Sequence, residues 1–292
     1  MSDEYTPEQK AKIARHFLYV TPHGEVADVV KDLKKVVKPE SIISDQWLKE
    51  SMTEYNKRRF EIVSGDSSKV ICCPQAEVEP NKYLHPDKKV VCSVDPVSQK
   101  IVSESDASNL VGTGANEQYR SAISARLKDY LAAFYEDGSS PNSVASGVGS
   151  VFVSPQGQIA IVISYKNLNT NNYWTGGWQS EWTLNVSKTG STKLEGRIRI
   201  NVHYFEDGNV QLNSTFTEQG EVDVTGDHAT TAEGVINTIS TLESDFQKRL
   251  DQFYVTMHDS TFKNMRRFLP KTGKRMDWRA RVHNLVSEAA SK

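Results

Sequence analysis

The sequence predicts an α+β fold in which an N-terminal helical bundle precedes an antiparallel sheet covered by a long helix. Apolar residues recur at helical spacing over residues 1–60, the period changes to two from Val148, and helical spacing returns after Thr230. With 37% hydrophobic residues in 292, the chain has enough apolar material for one large or two ordinary domains.

Thr6-Pro7-Glu8-Gln9 is a helix start: Thr6 can accept from an orphan N–H, Pro7 suits the first helical position, and Gln9 completes a capping box. Ile13, Phe17 and Val20 then define an apolar stripe, which Pro22-His23-Gly24 interrupts. Val26, Val29, Val30, Leu33 and Val37 form a second stripe closed by Pro39, and Trp47, Leu48, Met52 and Tyr55 a third. Three short helices joined by tight turns predict a small antiparallel bundle over 1–60. Between 61 and 116, four prolines separate β-prone pieces such as "KVICC" and "KVVCSV", which predicts a small mixed, β-rich region. Tyr119, Ile123, Leu127, Tyr130, Leu131 and Phe134 return to helical spacing until Asp137-Gly138, so the region 117–261 opens with a helix.

The runs "VGSVFVS", "QIAIVISYKN", "QSEWTLNVS", "KLEGRIRINVHYF" and "NVQLNSTFT" alternate as strands do, with turn residues between them. They predict an antiparallel meander. Thr230-x-x-Glu233 offers a second capping box, and Ile239, Leu242, Phe246, Leu250, Phe253 and Met257 place one long helix across the sheet. Such a meander has open edges. A partner subunit continuing the sheet would cover them, as would bulges or edge charges.

Several function classes find little support. No H-E-x-x-H or paired Cys spacing is present among the seven histidines and three cysteines, so no metal site is expected. Cys72, Cys73 and Cys92 read as reduced thiols. Gly112-Thr113-Gly114 lacks the third glycine of a dinucleotide fingerprint and reads as a loop feeding a helix cap. Glu206-Asp207 falls at a hairpin turn, no nucleophile elbow appears, and no catalytic residue or cofactor is assigned. "YWTGGWQSEW" brings Trp174, Trp178 and Trp182 around Glu181, a combination that could grip a sugar ring. The even step from Trp178 to Trp182 favours packing on one sheet face instead. The N-terminus lacks an apolar signal core, Ser2 excludes myristoylation, and no run approaches the roughly 20 apolar residues that span a bilayer. A soluble cytoplasmic protein is the expectation.

The segment 262–292 stands apart. Eight Lys or Arg stand against one acid, Asp277, from Lys263 to Arg281; with a formal net charge of −2, the remainder is about nine charges negative. Trp278, Val282, Leu285, Val286 and Ala289 share one helical face, with Arg279, Arg281 and His283 off it. A basic amphipathic tail of this kind points to an acidic partner. Nucleic acid is disfavoured, since no reading helix, zinc finger or base-stacking module accompanies the charge.

"FKNMRRFLPKTGKRMDW" resembles the tail signature of the F-actin-capping protein alpha subunit family, approximately F-K-x-L-R-R-x-L-P-x-T-R-x-K-x-D-W. "YWTGGWQSEW" is similar to the family's Trp-rich stretch, "HYFEDGNVQL" to its hairpin, and "KAKIARHFLYVTPHGEVADVVKDL" to its opening helices around a P-x-G-E turn. The resemblance runs from about Ala11 to Trp278. It implies an obligate heterodimer with a beta subunit, a helical stalk, an antiparallel sheet shared by both subunits, and a C-terminal tail that binds the filament barbed end. It also implies calcium-independent capping without enzymatic activity or cofactor, and a cytoskeletal location. Lys263 and Arg267 would match the family's capping-critical basic positions, whereas a third such position is Gly273 here, with Lys271, Lys274 or Arg275 placed to compensate. The actin-binding set implied is therefore Lys263, Arg266, Arg267, Lys271, Lys274 and Arg275 for charge, and Trp278, Val282, Leu285 and Val286 for the apolar stripe. Anionic phosphoinositides, myotrophin, proteins with capping-protein-interacting motifs, and dynactin are the further partners the resemblance implies. The rivals are a peripheral phosphoinositide-binding protein using the same tail and a carbohydrate-binding protein using Trp174 to Trp182.

Overall fold

The computed structural model describes residues 5–135, 144–169, 171, 173–206 and 210–256. Two compact units, 1–242 and 243–292, make up the chain. In the first, α1 (Pro7–Val20) starts with the reciprocal capping box of Thr6 and Gln9. It is followed by α2 (Val26–Val36), a single 3-10 turn (Glu40–Ile43) and α3 (Asp45–Arg58), whose N-terminus is capped by Ser44.

These helices close on one apolar cluster of Ala14, Leu18, Val26, Ile43, Trp47, Leu48, Met52 and Tyr55. The third stripe is buried as its spacing predicts. The first is not: Ile13, Phe17 and Val20 are exposed, and α1 instead buries Ala14 and Leu18. Ala14 and Leu18 join the Trp47, Met52 and Tyr55 cluster, so the Ile13, Phe17 and Val20 stripe is turned outward.

Two sheets follow. Six short strands, β1 (Ile62–Ser64), β2 (Lys69–Ile71), β3 (Glu77–Glu79), β4 (Lys82–His85), β5 (Val90–Asp95) and β6 (Lys100–Asp106), are ordered β2-β1-β6-β5-β4-β3. After α4 (Ala115–Phe134), the long strands β7 (Val144–Val153), β8 (Ile159–Asn169), β9 (Trp174–Leu184), β10 (Gly190–Tyr204) and β11 (Val210–Val224) form the antiparallel meander in simple sequence order.

Pleating divides the large sheet into two working faces. On one, Gly149 leaves room for Leu127 and Leu131 of α4, and Gly220 for Thr238 and Leu242 of α5 (His228–Thr256). On the other, Phe152, Ala160 and Val162 share a core with Val63, Tyr83 and Cys92 of the small sheet and with Phe60, Cys72 and Cys73 beside its strands. The thiols lie deep in that layer. Burial pushes Cys73 up to about 12 and Cys92 up to about 11, which keeps both protonated at neutral pH.

The long helix starts earlier than its sequence signature suggests. Asp227 accepts from the N–H groups of Ala229 and Thr230, so α5 begins at His228 and Thr230 lies within its first turn. Ala232, Val235, Ile236 and Ile239 are buried along it. A second polar anchor ties α4 to the turn after β4: Asp87 takes Arg120 at 2.6 Å, Lys128 at 2.8 Å and Ser124 at 2.7 Å. Burial alone would raise the Asp87 carboxyl, but these three partners outweigh it and hold the group well below the usual range.

The tightest packing point lies inside the large sheet. A Cβ at Gly196 would sit 2.1 Å from Cε3 of the fully buried Trp182 directly opposite. Gly196→Ala should lower stability by about 1–3 kcal/mol, the range for overpacking a well-filled core. A shift in the urea midpoint measures it, and an unchanged midpoint would show that Trp182 can move aside.

Candidate functional site

The residues assigned by sequence to actin contact, from Lys263 to Val286, lie outside the described residues. What the structure does display is the platform that precedes them, and three features stand out in it: the Trp-rich strand, a polar junction beneath the sheet, and the outer edge of β11.

Within β9, Trp178 and Trp182 point to the face shared with Leu184 and Ile198, the face that α4 and α5 approach. Glu181 projects from the opposite face. There it accepts from Arg199 at 2.8 Å and Gln75 at 3.2 Å, with Arg197 at 3.6 Å. The carboxylate and the two indoles are thus on opposite sides of one strand, which removes the geometry a sugar site needs. No group of three His, Cys, Asp or Glu side chains able to hold a metal occurs among the described residues. Gly114 forms the N-cap position of α4, as the loop reading of Gly112-Thr113-Gly114 requires.

The polar junction fastens the helical bundle to the sheet. The turn after α1 places Gly24 at φ +82°, a conformation that suits glycine, and lays it against Leu168. His23 and Glu25 on either side then reach the sheet. His23 Nδ1 lies 3.4 Å from Glu61 Oε2, Lys166 of β8 pairs with the same carboxylate, and Glu25 receives His203 of β10 at 2.7 Å and Thr175 of β9 at 3.3 Å. The His23 ring fills the space a side chain at position 177 would need, since a Cβ there would be 2.3 Å from His23 Cδ2. Burial alone would raise the Glu61 carboxyl, but the His23 hydrogen bond and the Lys166 charge outweigh it and bring it down to about 2.

Sequence reasoning treats Pro22-His23-Gly24 as a helix break and misses this junction. One signal is present in the sequence: Gly176-Gly177 inside a strand pattern marks close approach of another group.

The third feature is an edge. β11 pairs through its full length, Val210 to Val224, with β10 and is last in the sheet order. Val210 and Phe216 on this strand are exposed, as are Val202 and Tyr204 beside them. A fifteen-residue strand ending a sheet presents a long row of backbone donors and acceptors for pairing.

A family model described as F-actin capping protein alpha subunit matches residues 14–288. The chain belongs to the F-actin capping protein alpha subunit family. A Dictyostelium discoideum protein named F-actin-capping protein subunit alpha is 31% identical over 272 residues, covering 93% of this chain and 94% of its own length. The Caenorhabditis elegans protein of the same name is 29% identical over 290 residues, covering 98% and 99%. Among solved structures, the homodimeric actin capping protein alpha subunit from Plasmodium berghei superposes with a TM-score of 0.74 at 23% identity, covering 92% of this chain and all of that one. At that identity the likeness is one of fold, and it extends over the α+β architecture of the capping-protein subunit described above.

Glu61 gives the junction a pH signature. Its folded value lies below the unfolded 4.5, so the pairing adds stability above about pH 4.5 and this contribution is lost as pH falls toward 2. Glu61→Gln should therefore lower the urea midpoint strongly at pH 7, with the gap to the parent protein narrowing below pH 4.5. A pH-independent gap would mean that the carboxylate is not the group being lost.

Proposed function

We propose that this chain is the alpha subunit of a heterodimeric actin-capping protein that binds filament barbed ends and blocks subunit addition and loss without calcium. The observation that carries the reading is the family match, which extends through residue 288 and so takes in the basic tail. Three further features favour it. The outer edge of β11 is long enough to continue into a partner's sheet, the Ile13, Phe17 and Val20 stripe of α1 is exposed as a helical-stalk interface would require, and no helix among the described residues is long and apolar enough to cross a membrane.

In this proposal residues 1–60 form the stalk, 61–116 a small β-rich region, 117–261 the sheet with its covering helices, and 262–292 the actin-binding tail. Lys263, Arg266, Arg267, Lys271, Lys274 and Arg275 steer the tail to the acidic filament end, and Trp278, Val282, Leu285 and Val286 anchor it. Anionic phosphoinositides compete for the same basic face. Residence then depends on the apolar stripe and encounter on the charges.

The test is growth from actin seeds with the chain co-expressed beside its beta subunit. The complex should stop barbed-end growth equally with calcium or a chelator, and reversing Lys263 and Arg267 to Glu should slow association about tenfold at low salt. Undiminished association of the reversed form, or uninhibited growth with the parent complex, would overturn the reading. A stable homodimer that caps without a beta subunit would overturn the heterodimer half of it.

A further inference from the structure

The structure holds an arginine that makes no close ion pair among the described residues, in a cleft of about 620 Å³ formed by α1, α3 and the β9–β11 face. Three guanidinium groups line this cleft. Arg58 is paired with Glu54 at 2.7 Å and rests 4.3 Å from the Tyr19 ring; Arg199 is paired with Glu181. Arg59 differs. One terminal nitrogen donates to the Tyr19 carbonyl at 3.3 Å, its Nε is buried without a hydrogen-bond partner, and no ion pair among the described residues includes it. The Glu61 charge acts on Arg59, but its carboxylate oxygens are paired with His23 and Lys166.

The position of Arg59 is fixed by the backbone. It caps the C-terminal end of α3, Phe60 follows at φ +46°, and the hydrogen bond to the Tyr19 carbonyl holds the guanidinium at the cleft wall. A charged group half withdrawn from water with an unused donor is costly, and its remedy is a carboxylate matching the planar fork. Burial lowers the Arg59 pKa, against the opposing charges of Tyr55 and Glu61.

We propose that this cleft receives an acidic side chain from the partner subunit, whose carboxylate completes the hydrogen bonding of Arg59. The inference rests on the heterodimer reading above. The partner is favoured as the donor because the cleft wall includes Asn213, Ser214 and Thr215 of β11, the strand whose outer edge the partner's sheet would join, so that one partner surface reaches both features. Among the described residues lining the cleft only Glu54 is acidic, and it is committed to Arg58.

The full chain would be co-expressed with the beta subunit of its own organism, and exchange of labelled subunits followed at low and high salt. Arg59→Gln should raise the dissociation rate about tenfold and Arg59→Lys less, as expected when a fork loses its planar match. Thr215→Glu, at an exposed position on the cleft wall, should weaken pairing by repelling the incoming carboxylate, with the loss shrinking as salt rises. If Arg59→Gln fails to fold, the Thr215 variant decides. Parent-like exchange in Thr215→Glu at both salts overturns the cleft proposal while leaving the heterodimer intact. A parent chain that forms no complex with the beta subunit overturns the assembly reading, and this proposal with it.

Discussion

A sheet buried on both faces is the constraint on which the rest of this molecule depends. Strands β8, β9 and β10 must offer apolar side chains to α4 and α5 on one side while meeting the bundle and the small sheet on the other. Pleating gives each residue only one of these faces, so a slip of one position would exchange Trp182 for Glu181. The register is therefore held by opposites: an indole lying over Gly196 on one face and a carboxylate with three nitrogen partners on the other. Apolar burial alone could not distinguish the two faces of β9 as sharply, because its far side is also covered.

The same constraint explains why the lower face is polar rather than greasy. The bundle contacts the sheet through a turn, and a turn carries backbone groups and short polar side chains that need partners. His23, Glu25 and Glu61 meet this need with Lys166, Thr175 and His203. Removing one member of such a set leaves a buried charge uncompensated, which costs more than the set contributes as a whole. Specific placement of the bundle is the gain, and Gly24 and Gly177 are the clearances it requires.

Much of this architecture is legible in the sequence where local chemistry is decisive. The α1 capping box, the Trp47 to Tyr55 stripe, the five alternating runs and the Trp178–Trp182 step all lead directly to the observed elements. Two readings shift for identifiable reasons. Counting bulky residues favours Ile13, Phe17 and Val20 as the inner face of α1, but it is Ala14 and Leu18 that pack into the cluster around Trp47, Met52 and Tyr55. Thr230-x-x-Glu233 has the form of a helix start, yet Asp227 is three residues earlier and its carboxylate captures the free N–H groups first. The polar junction was visible only as two glycines in a strand pattern, because His23 and Glu61 are 38 residues apart and neither is informative alone.

The outward turn of α1 and the long outer edge of β11 are then two consequences of one arrangement. Each leaves apolar side chains exposed among the described residues: Ile13 and Phe17 on the helix, Val210 on the strand. A single such side chain is ordinary on any protein surface. Two sets are harder to attribute to chance when each accompanies an element with unfilled capacity for association, an i, i+4, i+7 helical stripe in one case and a fifteen-residue strand edge in the other. A second subunit would bury both, and an acidic group placed between them would meet Arg59 in the cleft that separates α3 from β11. In that arrangement the apolar surfaces supply the affinity, while the half-buried Arg59 guanidinium favours a partner carrying a carboxylate at the matching place over a second copy lacking one.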